Sequence, residues 1–208
     1  MTPWLSCVVP TVGRPTLART LDSLDAQPDA DGLEVLVVAD TFGGLTADLQ
    51  QARDHVLEER DPRRYRWVQY DAGFHMVGHP QRTMGAQLAS APWCWFSQDD
   101  NIAAHDALPS IRRVIVEQSK PRPLFFQVQT FWRAIVWNTA TLAENNIDAD
   151  CLVFPQRIAQ AVEWGMRYQG DFDAAHRAAQ LADGDVAWID HVVAIGRPED
   201  SHCWWKAA

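Results

Sequence analysis

Residues 5–40 read LSCVVPTVGRPTLARTLDSLDAQPDADGLEVLVVAD, with two short apolar runs on either side of one amphipathic segment. The runs at residues 5–9 and 33–39 are rich in apolar and β-branched residues, which is typical of buried strands. Between them, residues 16–26 carry leucines at helical spacing, and Pro15 stands where helices commonly begin. A strand, a helix and a second buried strand in this order predict the first unit of a parallel sheet.

The alternation of strand and helix signals continues along the chain. Buried-strand patterns fall at residues 66–70, 93–96, 124–129 and 186–195, and helical patterns at residues 45–59, 80–91, 104–118 and 171–182. Strands that alternate with helices form a mostly parallel sheet covered by helices on both faces. We therefore expect a single α/β domain over residues 1–208 with a Rossmann-like architecture.

The composition is that of an ordinary globular protein and excludes several classes. The 208 residues include 27 acidic and 18 basic side chains, a net charge of −9, and 47% are hydrophobic. This acidic balance argues against a protein that mainly binds nucleic acid or an anionic membrane. No apolar run approaches the roughly 20 residues of a membrane-spanning helix, so we predict no membrane span.

The cysteines and the N-terminal segment bear on the compartment. Cys7, Cys94, Cys151 and Cys203 lie far apart and form no CxxC pair, which favours free thiols over disulfides or a zinc site. The chain begins without a basic leader, and its first apolar segment is too short for a signal peptide. These observations predict a cytoplasmic protein.

Two adjacent carboxylates stand out among the polar residues that follow the predicted strands. Ligands of a parallel sheet bind beyond the carboxyl ends of the strands, and Asp99 and Asp100 directly follow the strand at residues 93–96. Gln98 and Asn101 flank them, and such oxygen ligands suit Mg²⁺ or Mn²⁺. The alternative is a solvated turn or a helix cap, where Asp and Asn are also favoured.

Five segments, in order, resemble family 2 glycosyltransferases with the GT-A fold. Residues 5–27 resemble the opening strand and helix of that family, and residues 33–40 its second strand, which ends on an acidic residue. Residues 81–85 (QRTMG) resemble its Ala-Arg-Asn-x-Gly segment. Residues 96–100 (FSQDD) fall where the family has its metal-binding Asp-x-Asp, and residues 170–177 (GDFDAAHR) resemble its Glu-Asp-Tyr-Asp-x-x-x-Arg.

The resemblance implies a transferase that takes a nucleotide sugar as co-substrate, with UDP the most common nucleotide in that family. The nucleotide sugar would lie across the carboxyl ends of the strands, its base and ribose near Asp40, and Arg82 would balance phosphate charge. The implied nucleotide-binding residues are Pro10, Thr11, Arg14, Asp40, Arg82, Gln98 and Asp99.

The resemblance also implies a metal and a catalytic base. Asp100 would hold a divalent cation, Mn²⁺ or Mg²⁺, that stabilises the departing diphosphate. His202 would be a second metal ligand, although a histidine in a polar tail can equally be exposed. Asp171 would take the proton of an acceptor hydroxyl, whose direct attack inverts the anomeric centre. Without the resemblance, Asp171 and Asp173 read as first-turn acids of a helix.

Several residues depart from the family pattern. Ala39 precedes Asp40 where the family has an acidic pair, and Gln98 stands at the first carboxylate of Asp-x-Asp. Thr83 replaces the usual Asn, and Gly170 replaces the acidic residue before the base. These departures keep open a catalytically degenerate protein or partner subunit that only binds sugar nucleotides.

The two halves of the chain are expected to have different roles. Residues 1–101 are expected to bind the nucleotide sugar, and residues 102–208 the acceptor, which could be a small molecule, a glycan, a protein or a modified nucleic acid. A nucleotidyltransferase is the weaker rival, because the loop at residues 10–14 has one Gly and no Lys to hold a triphosphate. The sequence predicts no oligomeric state.

Overall fold

A computed structural model describes residues 2–74, 77–130 and 134–197. The strands in this part of the chain are β1 (Leu5–Thr11), β2 (Leu33–Asp40), β3 (Tyr65–Tyr70), β4 (Trp93–Phe96), β5 (Asn101–Ala103), β6 (Leu124–Gln129), β7 (Ile135–Val136), β8 (Leu152–Pro155) and β9 (Ala187–Gly196). The helices are α1 (Thr16–Asp25), α2 (Ala47–Glu59), α3 (His79–Leu88), α4 (Ala107–Glu117), α5 (Gln156–Ala161) and α6 (Gly170–Leu181).

All strands join one sheet in the order β3-β2-β1-β4-β8-β6-β9-β5, with β7 paired to β6. The strands β1 to β4 are parallel, and β6 is parallel to β9. β8 runs antiparallel to both β4 and β6, and β5 runs antiparallel to β9. The predicted fold class, a single α/β domain around a curled and mostly parallel sheet, is confirmed.

The core is centred on the first two strands. Every residue of β1 and β2 is buried, as expected for central strands covered on both faces. α1 packs against α2, whereas α3 contacts β1, β2 and β3 as well as α5. Gly85 of α3 lies so close to Val8 of β1 that a side chain there would overlap it. This close approach places the beginning of α3 directly over the carboxyl end of β1.

Pro10 does not end the first strand, although a stop at residue 9 was expected. β1 continues to Thr11, with Pro10 opposite Val38 of β2. The pairing of β1 with β4 ends at Val8 and Phe96. Pro10 therefore lies beyond the part of β1 that has neighbours on both sides, where a missing N–H group is tolerated.

β8 was not predicted from the sequence, and its direction matters for the site. Because β8 is antiparallel to β4, β8 begins beside the carboxyl end of β4. The residues that precede β8 therefore join those that follow β1, β2 and β4.

The helices of the structure bear on whether the chain could span a membrane. None of the helices in residues 2–74, 77–130 and 134–197 is both long and apolar enough to cross a bilayer.

Candidate active site

Two cavities open side by side at the carboxyl ends of the parallel strands. The first cavity, of about 470 Å³, lies at the ends of β1, β2 and β4 and is lined by residues that include Thr11, Asp40 and Asp99. The second cavity, of about 480 Å³, is lined by residues of the second half that include Asp148 and Asp171. The residues that line both cavities are Val77, Arg82, Gln98 and Arg197. The two cavities therefore share a wall that carries positive charge.

The structure brings the predicted nucleotide-binding residues together. The first cavity is lined by all seven of them: Pro10, Thr11, Arg14, Asp40, Arg82, Gln98 and Asp99. The predicted base Asp171 lines the second cavity, whereas the predicted metal ligand Asp100 lines neither. His202 lies outside the described residues. The roles of these residues stay predictions.

Asp99 and Asp100 are buried beneath two arginines. Oδ2 of Asp100 accepts hydrogen bonds from Arg14 Nη1 at 2.8 Å and from Arg197 Nε at 2.9 Å. Asp99 accepts from Thr11 Oγ1 at 2.7 Å and from Arg14 Nη1 at 3.0 Å. Burial raises the pKa of Asp99 above its ordinary value, and Arg14 opposes that rise. Arg14 thus lies against the carboxylates in this structure, at the edge of the first cavity.

Arg82 is a buried cation at the shared wall. It is 3% exposed, and its Nη1 donates to the carbonyl of Val77 at 2.8 Å. Its guanidinium lies 5.1 Å from the centre of the Trp164 ring. Within the described residues it forms no ion pair, so its charge is balanced only by carboxylates at longer range, such as Asp148 and Asp171. Burial lowers the pKa of Arg82, although the charges of Asp150, Asp148 and Asp171 oppose that shift. Arg82 is thus a buried cation whose hydrogen bonds leave its charge without a directly paired carboxylate in the described residues.

Gln98 is held by a pair of carboxylates that sequence reasoning missed. Its Nε2 donates to Asp148 Oδ1 and to Asp150 Oδ2, each at 2.9 Å. Asp150 is fully buried and also accepts from Ser97 Oγ and Asn101 Nδ2. Burial, with Asp148 nearby, raises the pKa of Asp150 well above its ordinary value. These contacts fix the loop after β4 and explain an amide at residue 98, because a carboxylate there would face two others.

Asp171 lies in the first turn of α6 and lines the second cavity. Burial raises its pKa from 3.8 to about 6, and the charge of Asp148 adds to the rise. The neighbouring acid differs, since Asp173 forms a two-point ion pair with Arg167 at 2.6 and 2.8 Å. Asp173, which Arg167 holds, therefore fits the interpretation as a first-turn acid, whereas Asp171 has the raised pKa of a general base.

Gly170 has a packing reason for its departure from the family pattern. A Cβ at this position would lie 2.6 Å from the carbonyl oxygen of Gly165 and equally close to the ring of His79. The His79 ring stacks on Trp164, and burial lowers its pKa to about 4. A neutral histidine and an indole thus bring the first turn of α6 tightly against α3. This packing places Asp171 near the shared wall.

The polar residues of the site that were not predicted include Gln81, Asp148, Asp150 and Arg197. Asp148 and Asp150 precede β8, and Arg197 directly follows β9. A search after each predicted strand could have found Arg197. The two aspartates required knowledge that β8 is antiparallel. Nothing in the sequence distinguishes Gln81 from other helical glutamines.

The sheet is mixed, and its parallel half ends at the first cavity with the second cavity beside it. The likeness to solved structures confirms, at the level of the fold, the GT-A-like architecture that the sequence resembles.

The chain matches known proteins in structure and not in sequence. No protein-family model matches the chain, and no curated protein matches it. Residues 1–349 of TarS from S. aureus match with a TM-score of 0.70 and 16% identity, over 96% of this chain and 62% of that one. TarS 1–349 in complex with UDP-GlcNAc gives 0.69 and 15%, over 94% and 58%.

A mannosyltransferase from a second organism is similar to the same extent. PcManGT of Pyrobaculum calidifontis, in complex with GDP-Man and Mn²⁺, matches with a TM-score of 0.70 and 16% identity, over 95% of this chain and 57% of that one. At such identities the likeness shows the fold alone. The chain spans less than two thirds of the length of each of these proteins.

Proposed function

We propose that the protein transfers a sugar from a nucleotide sugar, a UDP-sugar, to an acceptor hydroxyl with inversion at the anomeric carbon. The observation that carries this proposal is the shared wall of the two cavities, where Arg82 lies between Asp99 and Asp171. A transferase needs two substrate sites that meet at the reacting atoms. The proteins with the same fold include complexes with UDP-GlcNAc and with GDP-Man, which supports a nucleotide sugar as substrate.

The orientation of the nucleotide sugar follows from where the cavities meet. The sugar must lie at the shared wall, because only there can a group in the second cavity reach its anomeric carbon. The diphosphate then lies beside Arg82, whose buried charge has no ion-pair partner among the described residues. The nucleoside occupies the far end of the first cavity, near Asp40 and Pro10.

Asp171 is placed to activate the acceptor. An acceptor in the second cavity approaches the anomeric carbon from the side opposite the diphosphate, and direct displacement inverts the configuration. The carboxylate of Asp171 takes the hydroxyl proton as the new glycosidic bond forms. A pKa of about 6 leaves most of Asp171 ionised at neutral pH while making it more basic than an ordinary Asp.

A divalent cation fits one position of the site. Oδ1 of Asp100 is buried and has no hydrogen-bond partner in the described parts of the chain, and a lone carboxylate with diphosphate oxygens is a common arrangement for Mg²⁺ or Mn²⁺. When bound, the cation would stabilise the charge of the departing diphosphate. Arg14 and Arg197 both donate hydrogen bonds to Asp100 and line the first cavity. One of these two arginines would therefore have to move away from Asp100 when the cation binds.

The structure does not single out one acceptor, so several classes of acceptor are proposed. The second cavity, of about 480 Å³, accommodates one or two sugar-sized groups, and small molecules, glycans, proteins and modified nucleic acids can all present a hydroxyl.

A cytoplasmic location is supported by Cys7, Cys94 and Cys151, which are free and buried.

The proposed function predicts that UDP and Mn²⁺ bind cooperatively. The described residues contain no group of three or more His, Cys, Asp or Glu that could hold a metal ion, so we expect Mn²⁺ alone to bind weakly and UDP to supply the missing ligands. Thermal unfolding with UDP-, GDP-, dTDP- and CDP-sugars, with Mn²⁺ or EDTA, tests this. A ligand at 100 times its Kd stabilises the fold by about 2.7 kcal/mol.

The matched variant is Asp100→Asn, which keeps a hydrogen-bond acceptor for Arg14 and Arg197 but loses the charge. We expect the variant to retain the stabilisation by UDP in EDTA and to lose the additional stabilisation by Mn²⁺. If no nucleotide sugar at millimolar concentration stabilises the wild type, the proposed function is wrong.

The pKa of Asp171 predicts the pH dependence of the reaction. The reaction needs the ionised carboxylate, so we expect the rate of UDP release to rise about tenfold per pH unit below pH 6 and to level off above it. Hydrolysis of the UDP-sugar, with water as acceptor, provides the measurement between pH 4.5 and 8. An Asp171→Glu variant should move the midpoint, and a profile that falls with rising pH would contradict the assignment.

A further inference from the structure

Gln81 is a buried amide without hydrogen bonds. The residue has no exposed surface, and within the described part of the chain neither Nε2 nor Oε1 has a hydrogen-bond partner. Its side chain nevertheless lines the first cavity. An unpartnered amide is expensive to bury, at about 1–3 kcal/mol for each group left unsatisfied, so its presence at a cavity needs a reason.

Gln27 shows how the same residue type is buried for a structural purpose. Its Nε2 donates to the carbonyls of Ser23 and Ala104, and its Oε1 accepts from the N–H of Leu108. Both ends of this amide are used to connect α1 to α4. Gln81 makes no comparable connection, although it is buried to a similar degree. The contrast indicates that the described part of the chain supplies no partner for Gln81.

The position of Gln81 places it at the nucleoside end of the first cavity. Gly85, one helical turn later on the same face of α3, lies against Val8, and Gly78 lies against Pro10. Gln81 therefore stands over the carboxyl end of β1, in the cavity that Asp40 of β2 also lines. Arg82 instead extends to the carbonyl of Ser97 after β4, which is the phosphate end in the proposed arrangement.

We propose that Gln81 binds the nucleobase of the nucleotide sugar and pairs with the imide edge of uracil. Nε2 of Gln81 donates to O4 of uracil, and Oε1 accepts from N3–H. An amide presents a donor and an acceptor side by side, which matches this edge of the base. A neutral amide also suits a neutral base at a buried position, where a charged residue would be costly to desolvate.

The proposal rests on the proposed function and concerns a residue at which the chain departs from the family pattern. The segment at residues 81–85 has glutamine where the family it resembles has alanine. Contact with the base requires the amide to rotate toward the cavity that its side chain lines. Binding would then supply both missing hydrogen bonds at once.

The test compares Gln81→Met with the wild type in two measurements. Met has a similar length and no polar group to satisfy, so we expect the ligand-free variant to unfold at a higher temperature than the wild type. We expect its affinity for UDP, measured by isothermal titration calorimetry, to fall about 10- to 100-fold, as for the loss of two hydrogen bonds. A structural role would give the opposite pattern, a lower unfolding temperature with unchanged affinity.

A modified nucleotide isolates the imide edge. 3-Methyluridine 5′-diphosphate lacks N3–H, so it should bind the wild type about tenfold more weakly than UDP and bind Gln81→Met about as well as UDP does. Gln87→Met is the matched control, because Gln87 lies on the same helix and donates to the carbonyl of Gln160 away from the cavity. This variant should bind UDP like the wild type.

The outcomes separate this inference from the proposed function. If the wild type binds UDP and Gln81→Met binds it equally tightly, Gln81 does not contact the base, and the proposed function stands. If the wild type fails to bind UDP, both the UDP-sugar and the role of Gln81 are wrong. Equal loss of UDP affinity in Gln87→Met would also overturn the proposal, since the effect would then come from α3 as a whole.

Discussion

Asp171→Asn is expected to lower the rate of sugar transfer by a factor of about 10² to 10⁴, the range for removal of a general base. The affinity for UDP should stay within about twofold of the wild type, because Asp171 lines the second cavity and not the first. The measurement is UDP release in the presence of the UDP-sugar that the binding experiment identifies.

The same variant should be more stable than the wild type at alkaline pH. The pKa of Asp171 in the fold, about 6, lies above the ordinary 3.8, so its contribution to stability is present below pH 4 and is lost as the pH rises through 6. At pH 8 the ionised, buried carboxylate destabilises the fold by at most about 3 kcal/mol. Asparagine removes this charge, and thermal unfolding at pH 4 and pH 8 measures the difference.

Asp173→Asn is the control for Asp171→Asn. Asp173 lies in the same helical turn but pairs with Arg167 on an exposed side, so its loss should leave the transfer rate within a few fold. Equal losses in the two variants would show that the charge of the α6 terminus matters, and not a base at residue 171. If the wild type and both variants bind UDP-sugars but release no UDP, the protein is instead the catalytically degenerate alternative that departures such as Gln98 suggest.

Arg82→Met is expected to weaken UDP binding by a factor of about 100, since two charge-assisted hydrogen bonds to phosphate are lost. The fold should tolerate the change, because Arg82 has no ion pair in the described residues and its burial already disfavours the charge. Calorimetry with UDP and with uridine distinguishes the cause. Binding of UDP should fall, while the weaker binding of uridine, which has no phosphate, should be little affected.

Arg112→Met is the comparison for Arg82→Met. Arg112 forms a surface ion pair with Asp29 at 3.0 Å, and such pairs contribute only about 0–1 kcal/mol. We expect no change in UDP affinity in this variant. If Arg82→Met also binds UDP normally, the diphosphate does not lie at the shared wall, and the proposed orientation of the nucleotide sugar is wrong.

Most of the first half could be predicted because its strands are central and parallel. β1 and β2 are buried along their whole length, which produces the continuous apolar runs that identify them in the sequence. Parallel strands also fix where ligands bind, so the residues after β1, β2 and β4 could be assigned to one cavity. The seven predicted nucleotide-binding residues all line it.

The second half was less predictable because its strands run in both directions. β8 has only four residues and resembles a fragment of buried helix, so neither it nor Asp148 and Asp150 before it could be placed. The contact of Arg197 with Asp100, the predicted metal ligand, also could not be seen in the sequence. Hydrogen bonds between distant residues of this kind have no local sequence pattern.

The hydrogen bonds to Asp150 have a consequence for protein engineering. Ser97, Gln98 and Asn101 come from the half that would bind the nucleotide sugar, and Asp150 from the half that would bind the acceptor. If either half were exchanged for that of another enzyme, this junction would be left with buried donors or a buried acid lacking partners. Under the proposed function, acceptor specificity would therefore be transferable only with the loop at residues 97–101 and Asp150 as one unit, and the two halves would not be interchangeable modules.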